Sequence, residues 1–164
     1  MKKKVVKKKP TKKRTTKKFN HRVRTEYLKA VYGPSFLTKI PKAIKMLKAF
    51  RKKHPFDAIA FRGSSGAAFA YPLSYLMKMP LIHVRRGDEQ HYRGKIEGTV
   101  SAKKYVIVDD FISSGSTISK IENTISGEIE ANPELVGILL YASNKLKQWH
   151  GVPVMTMPYV SSDY

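Results

Sequence analysis

Tyr105-Val106-Ile107-Val108-Asp109-Asp110-Phe111-Ile112-Ser113-Ser114-Gly115-Ser116-Thr117 is the stretch from which the rest of the chain can be read. Its first four residues form the most strand-like run in the sequence. That strand delivers two adjacent carboxylates to its own C-terminal end. A loop of small hydroxyl residues around a glycine follows, and then a helix begins. Ser113, Ser114 and Gly115 are small enough for their backbone N–H groups to approach a ligand closely. The helix N-terminus beyond them favours an anion, most naturally a phosphate. Ser114 and Thr117 can donate hydroxyl hydrogen bonds to the same phosphate. Carboxylates beside a phosphate would repel it unless they serve another part of the ligand, and vicinal ribose hydroxyls suit them. Asp109-Asp110 alone is equally a strand-end turn before helix-capping serines. The full pattern suits a phosphorylated sugar held at both ends.

Working outward, a helix is expected over Ser116 to Glu130, a strand over Leu135 to Tyr141, and a further strand over Val152 to Met157. Upstream, Phe56 to Phe61 reads as a buried strand, and Arg62-Gly63-Ser64-Ser65-Gly66 as a flexible turn. A helix follows through Ala67, Phe69, Leu73, Leu76 and Met77, interrupted or bent by Pro72. Leu81 to Arg85 is another strand. Residues 86–104 are polar, carry three glycines and read as a long loop or a small hairpin. Before all of these, Ile40, Ile44, Leu47 and Phe50 mark one face of a helix over Thr38 to His54, with Pro41 in its first turn. Alternating strands and helices predict βαβ units, a parallel sheet and helices on both faces. Ligands in such sheets bind at the carboxyl ends of the strands. That points to Arg62–Gly66 and Asp109–Thr117.

The chain has 164 residues, enough for one domain with a real core. No apolar run is long enough for a membrane span, and no apolar stretch follows the basic N-terminus as in a signal peptide. With no cysteine, disulfides and thiolate metal ligands are excluded, which fits a cytoplasmic setting. The formal net charge is +20, and residues 1–24 hold 13 of the 32 Lys and Arg and none of the 12 Asp and Glu. Residues 1–18 form a Lys/Thr tract with almost nothing to bury, expected to be disordered. Residues 19–164 are the expected folded domain, with a short element over 19–37 packed on it. Residues 1–24 are expected to contact nucleic acid non-specifically through phosphates, with strong salt dependence. A solvated, inert tail and a nuclear or nucleolar address are the other readings of such Lys runs.

The 105–117 stretch resembles the binding motif for 5-phosphoribosyl-1-pyrophosphate (PRPP) of type I phosphoribosyltransferases. That motif is an apolar run, Asp-Asp, three variable residues, Thr-Gly, one variable residue and Thr. Val106, Ile107, Val108, Asp109, Asp110, Gly115 and Thr117 match, while Ser114 stands where threonine is usual and keeps the hydroxyl. Arg62-Gly63-Ser64-Ser65-Gly66 stands where the family has its pyrophosphate loop. Val84-Arg85-Arg86, His91-Tyr92-Arg93-Gly94 and Ile96-Glu97-Gly98 are similar to orotate- and adenine-type members, in which a basic residue ends the second strand and a mobile loop follows. The resemblance covers roughly residues 38–141.

The resemblance implies a parallel-sheet, Rossmann-like α/β core with a small hood. It implies transfer of the phosphoribosyl group from PRPP to a nucleobase with release of pyrophosphate, and Mg²⁺ held mainly by PRPP oxygens and water, with Asp109 or Asp110 as an optional protein ligand. Asp109 and Asp110 would be the catalytic pair, holding the ribose and stabilising its developing positive charge. Ser113, Ser114, Gly115, Ser116 and Thr117 would bind the 5′-phosphate. Arg62, Gly63, Ser64, Ser65, Arg85 and Arg86 would bind pyrophosphate. His91, Tyr92, Arg93 and Lys95 would ride on a mobile loop over the site. The hood would come from residues 19–37, from Trp149 to Tyr164 or from both, with Tyr32, Trp149 or Tyr159 as base-stacking candidates. Family members often form homodimers, so a dimer is an expectation too. The alternative is a PRPP-sensing regulator that does no chemistry and binds nucleic acid through its basic tail. His21, His54, His83, His91 and His150 lack metal-ligand spacing. Met155 and Met157 read as core, and Trp149 as filling a hydrophobic groove.

Overall fold

The structure, a computed structural model, describes residues 33, 35–86, 94–142 and 144–157. The expected Lys-rich tail, most of the 19–37 element, the loop residues His91, Tyr92 and Arg93, and the hood candidates Tyr32 and Tyr159 lie outside the described residues.

Three helices and seven strands follow in the order α1 (Ser35–Lys53), β1 (Ala58–Arg62), α2 (Gly63–Met77), β2 (Leu81–Val84), β3 (Ile96–Gly98), β4 (Lys104–Asp109), α3 (Ser116–Glu128), β5 (Glu134–Leu140), β6 (Gln148–Trp149) and β7 (Val152–Thr156). The strands form one sheet in the order β3-β2-β1-β4-β5-β7-β6. The central pairings β2-β1-β4-β5-β7 are parallel, and the two edge pairings, β2-β3 and β7-β6, are antiparallel. This is the expected mixed α/β architecture.

Helices cover both faces because the strand residues alternate. In β1, Ile59 and Phe61 pack with Phe69 and Leu73 of α2 and Leu47 of α1. Ala58 and Ala60 face the other way, into a cluster with Ile118, Ile121 and Ile125 of α3. The inner stretch of β4, Val106 to Val108, is fully buried, as a central parallel strand covered on both sides must be.

Three local expectations are corrected. Gly63–Gly66 is the first turn of α2 rather than a flexible turn, so the helix starts directly at the end of β1. Pro72 lies inside α2 without ending it. α1 begins at Ser35, which places Pro41 inside the helix beyond its first turn; that residue is exposed, so water can satisfy the carbonyl that loses its donor. Residues 96–98 pair antiparallel with β2, in line with the small-hairpin reading of residues 86–104, and a two-residue strand, β6, pairs with β7.

Candidate functional site

The C-terminal ends of β1 and β4 lie side by side, since Ala58 to Ala60 pair in parallel with Tyr105 to Ile107. Each strand runs into a turn that opens a helix. Between the turns lies a cleft of about 550 Å³ lined by both of them, by Arg86 and by Lys120. The two turns singled out in the sequence thus share one cavity.

Asp109 ends β4 and Asp110 follows it, and both are buried, at 4% and 7% exposed. Asp109 Oδ1 accepts hydrogen bonds from the Asp110 N–H at 2.9 Å and from Ser65 Oγ at 3.4 Å. Asp110 Oδ1 accepts the Phe111 N–H at 2.8 Å. Burial raises the Asp109 pKa to about 6, against the opposing effects of the Asp110 N–H, Ser65 and the Arg86 guanidinium. Burial also raises that of Asp110, with backbone N–H bonds opposing it. These carboxylates stand at the mouth of an open cleft yet are poorly hydrated, a combination typical of functional acids.

From Asp110 the chain passes through Phe111 to Ser114 and reaches Gly115, which precedes α3 with φ of 77°. Two constraints require glycine there. The conformation is left-handed, and a Cβ would lie 1.9 Å from Cη2 of Trp149. The indole of Trp149, carried by β6, lies over the loop, and its Nε1 donates to Glu122 Oε2 of α3 at 3.0 Å. Asn144 Nδ2 donates to the Ile112 carbonyl of the same loop at 2.9 Å, and Asn144 Oδ1 accepts the Leu146 N–H at 2.8 Å. Gly115, at the N-cap of α3, has no side chain to cap the helix, and the Ser116 N–H reaches Ser114 Oγ at a long 3.4 Å. The N-terminus of α3 opens beside Ser113, Ser114, Ser116 and Thr117, which all line the cleft.

The β1 turn is built differently. Gly63 has φ of 69°, and a Cβ there would meet the Arg86 guanidinium at 2.6 Å, so Arg86 lies along the backbone at the start of α2. Ser65 joins the turns: its Oγ reaches Asp109, and its carbonyl accepts the Tyr141 hydroxyl at 2.7 Å. Tyr141 is itself buried and stacked on Phe69, ring centres 3.8 Å apart.

Of the residues expected to bind pyrophosphate, Arg62, Ser65 and Arg86 line the cleft. Gly63 and Ser64 lie in the first turn of α2 between them. Arg85 instead bonds Glu97 of β3 at 2.7 Å, alongside His83, which bonds the same carboxylate at 3.2 Å. Lys95, expected on the mobile loop, pairs with Glu128 of α3 at 2.8 Å. Met157 is core and Met155 packs against it, as expected. Sequence reasoning missed Lys120 as a cleft residue. The signal was its spacing, one helical turn beyond Ser116. It also missed Tyr141, Asn144 and Glu122 as supports, which no local pattern marks.

No protein-family profile matches the chain. Among curated proteins, it is 33% identical over 84 residues to an orotate phosphoribosyltransferase of Listeria monocytogenes, a match spanning 50% of this chain and 39% of that enzyme. An orotate phosphoribosyltransferase of Listeria innocua is 31% identical over the same length. The chain thus matches well under half the length of these relatives. Among solved structures, an adenine phosphoribosyltransferase from Saccharomyces cerevisiae, complexed with an imino-altritol bisphosphate and adenine, superposes with a TM-score of 0.56 at 19% identity, covering 75% of this chain and 79% of that one. The Francisella tularensis orotate phosphoribosyltransferase gives 0.52 at 16% identity, with 68% and 53% covered. The Rhodothermus marinus adenine phosphoribosyltransferase gives 0.51 at 20%, with 71% and 76% covered. The fold is the one these enzymes share.

Proposed function

We propose that this chain, whose sequence and fold support assignment to the type I phosphoribosyltransferase family, binds PRPP across the two turns and transfers its phosphoribosyl group to a nucleobase. The observation that carries this reading is the convergence of two buried carboxylates, a helix N-terminus that opens at a glycine among serines, and two arginines on one cleft. The 5′-phosphate fits the N-terminus of α3, with N–H and hydroxyl donors from Ser113 to Thr117. The ribose hydroxyls donate to Asp109 and Asp110. The pyrophosphate lies against Arg62, Arg86 and the first turn of α2.

In the reaction a ring nitrogen of the base bonds to C1 of the ribose as the bond from C1 to the pyrophosphate oxygen breaks, and pyrophosphate leaves with the electron pair. Positive charge develops on the ring between these events. Asp109 and Asp110, held by fixed hydrogen bonds in a poorly hydrated site, stabilise it without reorganising. They do so only when ionised, so activity should fall as pH drops through about 6, where Asp109 takes up a proton.

Among the described residues no group of three His, Asp or Glu could cage a metal. The cleft offers two carboxylates, a hard oxygen donor set that fits Mg²⁺ held chiefly by the substrate's own phosphates and water. When bound, that ion would offset the charge on the departing pyrophosphate.

The test is calorimetric titration with Mg²⁺ and PRPP, followed by pyrophosphate release with adenine, guanine, hypoxanthine, xanthine, uracil and orotate. Saturable binding, abolished by Asp109→Asn with Asp110→Asn while the fold persists, and turnover with one base are expected. Unchanged binding in the double variant would sink the site assignment. Binding without turnover on any base would instead make the protein a PRPP sensor.

A further inference from the structure

The net positive charge of this protein is confined to two segments. Residues 1–24 carry 13 basic and no acidic side chains. Helix α1 carries seven, Lys39, Lys42, Lys45, Lys48, Arg51, Lys52 and Lys53, and again no acidic one. The twelve basic residues left in the chain equal its 12 acidic residues, so everything outside these segments is formally neutral. The excess charge of the folded domain therefore sits on one helix.

The helix displays that charge outward. Ile40, Ala43 and Leu47 are buried against the sheet, and Lys39 is turned inward with them. Lys42, Lys45, Lys48, Lys52 and Lys53 are exposed, and among the described residues no carboxylate pairs with any of these five. Elsewhere in the domain some cations are paired, as with Lys95 and Glu128 or Lys104 and Glu134. Arg51 is occupied, donating to the Phe56 carbonyl and lying over the Phe56 ring.

Spacing of three and four residues places Lys45, Lys48 and Lys52 on one side, with steps of about 4.5 and 6 Å along the axis. They border a shallow groove floored by Pro41, Ile44 and Ala49. A row of unpaired ammonium groups beside a groove without acidic or aromatic side chains matches a row of backbone phosphates. It offers nothing on which an unpaired base could stack and no side chain shaped to read base edges.

We propose that the exposed face of α1 docks the phosphate backbone of a nucleic-acid duplex, without sequence specificity. Lys42, Lys45, Lys48 and Lys52 are the contacting groups. The ridge is separate from the cleft between the β1 and β4 turns and does not depend on what that cleft binds. The basic segment before α1 extends the same charge along the chain.

The experiment uses the full chain and a variant with Lys42→Gln, Lys45→Gln, Lys48→Gln and Lys52→Gln. Binding to a fluorescein-labelled 20-base-pair DNA duplex is followed by anisotropy across a salt series. Removing four phosphate contacts should reduce the slope of log K against log salt by about 3.6 and weaken binding roughly tenfold or more at 100 mM salt. An RNA duplex should behave alike. A second variant with Lys→Arg at the same positions should bind as the parent does, and equal thermal midpoints for all three proteins establish that the fold is intact. An unchanged slope in the glutamine variant would assign all binding to the tail and overturn the proposal. So would tighter binding to single strands than to duplex, or a preference for anionic phosphatidylserine vesicles over duplex.

Discussion

The two turns that line the cleft leave neighbouring parallel strands and end in helix N-termini, yet they are built on opposite plans. At the end of β1 the chain enters α2 at once, and Gly63 is shielded only by the mobile end of Arg86. At the end of β4 the chain makes a longer excursion before α3, and its pivotal glycine is locked beneath a ring that is itself hydrogen-bonded. The first turn presents little beyond backbone and an arginine. The second carries two buried carboxylates and is pinned at two points, by Trp149 at Gly115 and by Asn144 at Ile112. Rigidity is concentrated where charge must be held out of water. The turn whose proposed partner is a flexible, strongly charged group is left open to adjustment.

The sharpest way to break this contrast is to place the same methyl group in both turns. Gly115→Ala forces a left-handed alanine, at about 1–2 kcal/mol, and drives its Cβ into the Trp149 ring, which adds roughly 1–3 kcal/mol. Stability in urea unfolding should fall by about 2–5 kcal/mol, with PRPP affinity lost. Gly63→Ala carries the same backbone penalty, but Arg86 can swing away, so the loss should be near 1 kcal/mol. Adding Trp149→Ala to Gly115→Ala should recover the steric part and leave the backbone part, a coupling that a double-mutant cycle measures. Equal losses for the two glycines would mean that the turns do not differ in rigidity.

The second prediction concerns the charge that the rigid turn holds. Asp109 binds its proton more tightly in the fold, at about 6, than in the unfolded chain, near 3.9. Its contribution to stability is therefore undiminished below pH 4 and is lost as pH rises from 4 to about 6. Above that the fold carries a buried carboxylate at a cost of up to about 3 kcal/mol. Asp109→Asn keeps an acceptor for the Asp110 N–H and removes the charge. It should stabilise the free protein by about 2–3 kcal/mol at pH 7.5 and by almost nothing at pH 4, while abolishing PRPP binding. Destabilisation at pH 7.5 would show that Asp109 serves the fold rather than the ligand.

The difference between the turns also explains what the sequence could reveal. The β4 turn was legible because its parts are contiguous: four buried apolar residues, two acids, small residues and a helix. The sheet was legible for the same reason, since apolar runs bounded by Gly and Pro stand out. The β1 turn was only half legible. Gly63-Ser-Ser-Gly66 has turn composition, and it becomes helical because Gly66, Phe69, Ala70 and Leu73 are buried by the sheet, a tertiary effect that outweighs local preference. Arg85 and Arg86 read alike in sequence, but neighbours in an extended chain project to opposite sides. One bonds Glu97 on β3 and the other lies at Gly63 beside the cleft. Strand β6 is two residues long, too short for any periodicity, so the placement of Trp149 over Gly115 was invisible.

The smallest predicted effect tests the link between the two turns. Tyr141 lies just past β5, and its hydroxyl donates to the carbonyl of Ser65, whose own hydroxyl reaches Asp109. Tyr141→Phe removes that hydrogen bond and keeps the ring stacked on Phe69. The cost in stability should be about 0.5–1.5 kcal/mol, the usual value for one such bond. The informative readout is the pH dependence of PRPP binding. If Tyr141 holds Ser65 in place for Asp109, the variant should lose one of the interactions that oppose the rise in the Asp109 pKa, and the acid limb of the binding profile should move to higher pH. Ser65→Ala should move it in the same direction without the loss of the tyrosine bond, and the two changes together should move it little further than Ser65→Ala alone. A stability loss in Tyr141→Phe with an unmoved acid limb would mean that the two turns are supported separately, and that their meeting at one cleft owes nothing to Ser65.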